Sequence, residues 1–177
     1  IYSFNKSIDK IKNPSELLGN KGASLNLMTS LDLPVPQGFT ILTKLNHYFQ
    51  KNKSFPNEFE NELIKNILNL EKISKCKFGS STNPLLLSVR SGSQKSMPGM
   101  LDTILNIGFN KKVLEFYEKQ NKPLFAWDTW RRFLHMFSHV VYKIEHFYFD
   151  EILDSYLLGA GLQFEKDLGV NDIQEIC

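Results

Sequence analysis

Cysteine is scarce in this sequence. There are two, Cys76 and Cys177, and their separation matches no zinc or redox spacing, so both are expected to be reduced thiols of a cytoplasmic protein. No apolar run approaches the ~18–20 residues that a membrane-spanning helix needs, and no signal-peptide pattern opens the chain. Charge of one sign is also wanting. The net charge is +2, and Lys6, Lys10, Lys12, Lys51, Lys53, Lys111 and Lys112 are scattered. A nucleic-acid binder needs its basic residues gathered on one face, so that class is set aside. There is no internal repeat, no low-complexity tract and no initiator methionine, so the first residues are expected to be trimmed. What is present is a globular composition. The chain has 177 residues, 42% hydrophobic and with 14 phenylalanines, which allows one domain with a sizeable core or one domain and part of another.

The most informative stretch is Leu85-Leu86-Leu87-Ser88-Val89-Arg90-Ser91-Gly92, running into Ser96-Met97-Pro98-Gly99-Met100-Leu101-Asp102-Thr103. It reads as a buried apolar strand ending on one arginine, followed by a loop of small residues. Burying an unpaired guanidinium costs several kcal/mol or more. Arg90 is therefore either in a structural ion pair or aimed at an anion. A Gly-rich loop beside it offers backbone N–H groups that suit phosphate.

A second Gly-rich segment, Leu17-Leu18-Gly19-Asn20-Lys21-Gly22-Ala23-Ser24-Leu25, opens an apolar run of Leu25, Leu27, Met28 and Leu31. A helix is expected from about Gly22 to Leu31, with Lys21 at the positive end of its dipole. The triphosphate-loop pattern G-x-x-x-x-G-K-[ST] is absent, and G-x-K-G alone is weak.

Further along, Ile1–Ser3 and Phe39–Leu42 read as strands. Thr43 is placed to cap a helix over Lys44–Gln50, and another helix follows Ser54-Phe55-Pro56, with Phe59, Leu63, Ile67 and Leu70 on one face. Lys77–Pro84 reads as a loop, and Leu85–Val89 and Thr103–Ile107 as strands. Val113–Gln120 is helical, Phe125–Tyr148 one long aromatic helix capped by Asp128, and Asn171-Asp172 caps a last helix that stops at Cys177. That stop, inside a helix, leads us to expect a truncated piece.

Taken together, Leu17–Met28, Leu33–Thr43, Pro84–Gly108 and Phe125–Val141 resemble the N-terminal nucleotide-binding domain of the pyruvate phosphate dikinase family, and the resemblance runs along essentially the whole chain. The family usually has Gly-Gly-Lys-Gly where this chain has Asn20 in second place. Asparagine tolerates a left-handed backbone, so the loop is expected to survive. The resemblance implies an α+β fold: part of an ATP-grasp-like nucleotide-binding domain, with a first lobe over 1–108, a helical insertion subdomain over 109–169, and the start of a returning helix over 170–177. It implies ATP binding by Lys21, Arg90, Gly99, Met100, Leu101, Asp102 and Thr103, the last two being either ligand contacts or structural caps. It further implies Mg²⁺ held elsewhere, a monovalent cation, and transfer from ATP to a histidine outside this chain and on to pyruvate. The products are phosphoenolpyruvate, AMP and pyrophosphate, and phosphate is a co-substrate. The parent is expected to be a homodimer, the piece a monomer that turns over nothing.

Plainer readings stand beside these. On the G-x-K-G pattern alone Lys21 is an ordinary exposed lysine at a helix start, and Arg131-Arg132 is a solvated or salt-bridged edge. His135 and His139 share metal-ligand spacing but lack the glutamate of H-E-x-x-H, so they are expected to be ordinary helix histidines and no metal site is assigned. Trp127, Trp130, Phe133 and Phe137 are expected in a core, not a base-stacking platform. A phosphoenolpyruvate synthase or other water dikinase is the nearest alternative function, though the segment Ser96–Thr103 argues against it. The alternative of another class is a non-enzymatic helical module that binds a partner.

Overall fold

The computed structural model describes residues 1–8, 11–92 and 102–177. The fold is mixed α and β, with helices predominating over short two-stranded sheets. The described residues form two compact units. One contains Ile1–Lys75 with Arg90, Ser91 and Gly92; the other contains Cys76–Val89 and Asp102–Cys177.

In the first unit, strand β1 (Tyr2–Ser3) pairs antiparallel with β2 (Phe39–Thr40), Tyr2 opposite Thr40. Helix α1 (Pro14–Ser30) starts earlier than the sequence suggests, and it is interrupted at Gly19, where φ is 71° and ψ 164°. Its buried face is not the leucine run. Leu18, Gly22, Ala23 and Asn26 are buried, while Leu27, Met28 and Leu31 are exposed. Small size explains the inversion. A Cβ on Gly22 would lie 2.7 Å from Thr40 Oγ1 and 2.9 Å from its Cγ2, so only glycine lets α1 come this close to β2. One turn on, Asn26, 1% exposed, donates through Nδ2 to the carbonyls of Ser3, Phe4 and Lys6 at 3.0, 3.1 and 3.1 Å. The two N–H groups of the amide are shared among three carbonyls at and just after β1, and Ser3 O also accepts from the Lys6 N–H at 3.2 Å. Helices α2 (Thr43–Asn52) and α3 (Phe59–Ser74) complete the unit; α3 buries Leu70, with Leu63 and Ile67 half-buried on the same side as expected.

In the second unit, the expected loop Lys77–Pro84 contains a strand, β3 (Lys77–Phe78). It pairs in parallel with β4 (Pro84–Leu85). The leucine-rich run is split: β4 ends at Leu85, and β5 (Leu87–Arg90) pairs with β6 (Thr103–Ile107) in a separate sheet. Helix α4 (Lys111–Lys119) is capped by Asn110, whose Oδ1 accepts the Val113 N–H at 3.1 Å while Nδ2 donates to the Gly79 carbonyl at 3.0 Å. Such a cap is worth about 1 kcal/mol.

The core of this unit is Phe109, Val113, Leu114 and Ala126, with Leu86, Tyr117, Trp127, Trp130 and Phe133 packed around it. The expected assignment of the tryptophans and Phe133 to a core holds. The long aromatic helix does not. It is two helices, α5 (Pro123–Tyr142) and α6 (His146–Ala160), broken at Lys143, which is left-handed at φ 60°. The Ile144 N–H reaches back to the Ser138 carbonyl at 3.3 Å, a helix-ending bond. Apolar residues continue through the break, so their spacing hid it. A 3₁₀ turn (Glu165–Asp167) leads to α7 (Val170–Ile176), where Asp172 accepts the Gly169 N–H at 2.7 Å, the N-terminal capping expected of it. Tyr156 ties α6 to α7 by donating to Asp172 at 2.9 Å, and this bond holds the phenol's pKa up at about 12.

Candidate functional site

Lys21 is exposed two residues after the break at Gly19, in the first turn of the resumed helix. A helix start with a lysine on it is electropositive from both sources, the dipole and the ammonium. The left-handed residue is Gly19, and Asn20 is absent from the positive-φ residues, so the tolerance of asparagine for that conformation is not used. The G-x-K-G pattern therefore separates into two backbone requirements, a break at Gly19 and a close approach at Gly22, with an unburied lysine between them.

Arg90 is the last residue of β5 and is exposed, as is its neighbour Val89. The expectation of a buried strand is thus wrong: only Leu87 of the four is half-buried. Splitting the leucine run at Leu86 sends that residue to the core and leaves β5 near the surface. Arg90 makes no ion pair among the described residues. Gly99, Met100 and Leu101 lie outside the described residues. A cleft of about 430 Å³ in the first unit is lined by Lys12, Glu16, Thr43, Lys44 and His47 among others; neither Lys21 nor Arg90 lines it.

Asp102 and Thr103 belong to the second unit, where they line another cleft of about 430 Å³ with Arg131, His135, His139 and His146. Asp102 faces Lys143 at 3.8 Å, with both side chains exposed, a pairing worth little in water. Asp128 does not cap α5. Within the helix it binds Arg131 at 3.0 Å and Arg132 at 2.8 Å, and both arginines also reach Glu165, Arg132 at 2.6 Å. Of the two plain readings of the double arginine, solvated or salt-bridged, the structure has the salt-bridged edge.

Histidines 135 and 139 have a third neighbour that helical spacing does not announce. The break at Lys143 brings His146 back, so that His135 Nε2 meets His146 Nδ1 at 2.7 Å and His139 stacks on His146 at 3.6 Å between ring centroids. One ring nitrogen of the first pair must donate and the other accept. No group of three or more His, Cys, Asp or Glu able to hold a metal occurs among the described residues, and no step is assigned to Mg²⁺ on them.

Burial, then the neighbouring His146, pushes the His135 pKa below the ordinary histidine value, against an opposing pull from Asp150; Arg131 and His139 add to the depression. The folded state therefore prefers neutral His135. Its contribution to stability is complete above about pH 6.5, the unfolded value. It is lost as pH falls through that value toward the lower folded one. The melting temperature is expected to drop between about pH 7.5 and about pH 5.5, and His135→Gln to flatten the slope. An identical slope in the variant would rule His135 out as its source.

No family model matches the chain. Curated relatives do. A pyruvate, phosphate dikinase of Rickettsia prowazekii is 45% identical over 180 residues, covering 99% of this chain and 20% of the relative. One from Clostridium symbiosum is 40% identical over 179 residues, covering 100% of this chain and 20% of the relative. One from Entamoeba histolytica is 41% identical over 164 residues, covering 92% and 18%. The chain spans about a fifth of the length of these relatives. Among the described residues, no helix is long and apolar enough to cross a membrane. Along its whole length the chain is homologous to a segment of the pyruvate, phosphate dikinases.

Proposed function

We propose that the chain is the first part of the nucleotide-binding domain of a pyruvate phosphate dikinase, an ATP-grasp-like domain whose Mg²⁺ ligands and phosphorylated histidine lie in other parts of the protein. The observation that carries this is Lys21, exposed just after the break at Gly19 in a chain 40% identical to a dikinase along its full length. Phosphoryl transfer needs positioning and charge neutralisation more than covalent chemistry from the protein. In this reading Lys21 and Arg90 neutralise the triphosphate, the amides of Gly99, Met100 and Leu101 donate to its oxygens, and Asp102 and Thr103 border it. Inorganic phosphate and pyruvate are the two acceptors, and the protein is a cytoplasmic homodimer.

The full-length protein, given Mg-ATP, phosphate and pyruvate, is expected to release AMP, pyrophosphate and phosphoenolpyruvate in equal amounts. AMP with orthophosphate in place of pyrophosphate would identify water as the second acceptor and replace this reading with a water dikinase. Lys21→Met is expected to raise the KM for ATP roughly 10–100-fold, the value of one charged hydrogen bond. An unchanged KM would remove Lys21 from the site.

A further inference from the structure

Two contacts hold the part of α1 that carries Lys21, and both lie on the far side of the break at Gly19. The first is made by Gly22, the residue after the lysine. It is buried against Thr40 of β2, where an added Cβ would lie 2.7 Å from Oγ1, 2.9 Å from Cγ2 and 3.1 Å from Leu18 Cβ. Both branches of Thr40 stand in the way, so turning that side chain leaves one of them there. The second contact is made by Asn26, 1% exposed. Its Nδ2 donates to the carbonyls of Ser3, Phe4 and Lys6 at 3.0, 3.1 and 3.1 Å. Its Oδ1 has no hydrogen-bond partner among the described residues, so the amide serves here as a donor alone. Lys21 is exposed on the same segment. Five residues of helix separate it from Asn26, roughly 7.5 Å along the axis, a length over which a helix moves as one rigid element.

We infer that Gly22 and Asn26 are positioning residues for Lys21: the bare Cα against Thr40 and the amide over the end of β1 lock this segment in place and so set where the lysine stands. The inference rests on the reading of Lys21 as a triphosphate contact. An N–H···O bond spans about 2.7–3.2 Å, so a displacement of ~1 Å is enough to break it. The flexible four-carbon stem of lysine takes up part of such a displacement. The expected cost is therefore several-fold in KM, less than that of removing the ammonium. Gly22→Ala forces the segment away from Thr40. Asn26→Leu keeps the branched outline of the side chain and removes both N–H donors.

The test uses the full-length protein. Gly22→Ala and Asn26→Leu are each expected to raise the KM for ATP several-fold with kcat little changed. In a Lys21→Met background neither is expected to add anything, because the group they position is gone. Thr40→Ala is expected to recover part of the KM lost in Gly22→Ala; no recovery would mean that the alanine acts by another route, and overturns the role of Gly22. Should Asn26→Leu fail to fold by circular dichroism, Asn26→Ser, which is too short to reach the three carbonyls, reads the same quantities. A merely structural seam would lower the melting temperature and leave KM alone, or would raise KM equally in both backgrounds; either result overturns the inference. A rise in KM for one residue only overturns the role of the other. A large effect of Lys21→Met beside neutral variants at both positions overturns the positioning and leaves the reading of Lys21 standing. An unchanged KM in Lys21→Met overturns that reading, and the inference falls with it.

Discussion

Arg90→Ala in the full-length protein is expected to abolish phosphoryl transfer from ATP while leaving the fold intact. The second half of that expectation comes from the structure: Arg90 is exposed at the end of β5 and makes no ion pair among the described residues, so its loss orphans no described partner. The first half comes from the chemistry of the ligand. A guanidinium presents a planar fork to phosphate, and each charged hydrogen bond is worth roughly 1.5–3 kcal/mol. Losing two of them would slow the reaction by roughly two to four orders of magnitude. Arg90→Lys should recover little, since an ammonium is a point charge without the fork. Formation of phosphohistidine from labelled ATP, measured beside circular dichroism, checks both halves. Wild-type labelling in the alanine variant would take Arg90 out of the site. A lost fold would mean that it has a structural partner.

The largest expected effect on stability belongs to Phe109→Ala. Phe109 is 4% exposed and sits in one cluster with Val113, Leu114 and Ala126; its ring centroid lies 5.9 Å from Trp130 and 6.2 Å from Tyr117. Truncation removes the transfer energy of a ring and leaves a cavity between large side chains that cannot collapse fully, at a cost of about 3–5 kcal/mol. For a chain of this size that lowers the melting temperature by roughly 6–20 °C. Phe109→Leu should cost much less. Phe133, the more obvious residue on the aromatic helix, is only half-buried at the edge of the same cluster, and its truncation should be milder. Equal melting temperatures for wild type and Phe109→Ala would place the core elsewhere.

Helix faces were legible in the sequence wherever packing follows hydrophobicity. Leu63, Ile67 and Leu70 on α3 are of this kind, as are Trp127 and Trp130 on α5. The rule failed on the second half of α1, where Leu27 and Met28 stay exposed and Gly22, Ala23 and Asn26 are buried. There the deciding quantity is how close two backbones come, and hydropathy does not encode it. The candidate site divides in the same way. Lys21 and Arg90 could be picked out because a cation beside glycine-rich backbone suits phosphate whatever the fold. The bond from the Thr43 hydroxyl to α1 could not, because it runs to the backbone carbonyls of Glu16 and Leu17, 27 and 26 residues away.

The sequence by itself determined the kinship of this chain, the identity of its phosphate-binding candidates and most of its helices. These depend on local order: motifs read in sequence, apolar residues recurring at 3.6, glycines beside charge. Only the tertiary structure decided where the helices break, which strand segments pair and which side chains close the gaps. The two-residue strands β3 and β4 exist because Lys77 and Phe78 find Pro84 and Leu85 alongside. His146 joins His135 and His139 because Lys143 turns left-handed. The leucine run Leu85–Leu87 contributes to two sheets and a core, not to one buried strand. Each outcome depends on hydrogen-bond partners and neighbours distant in the chain or reached only through a break, and their contribution to the free energy appears only once the chain has folded.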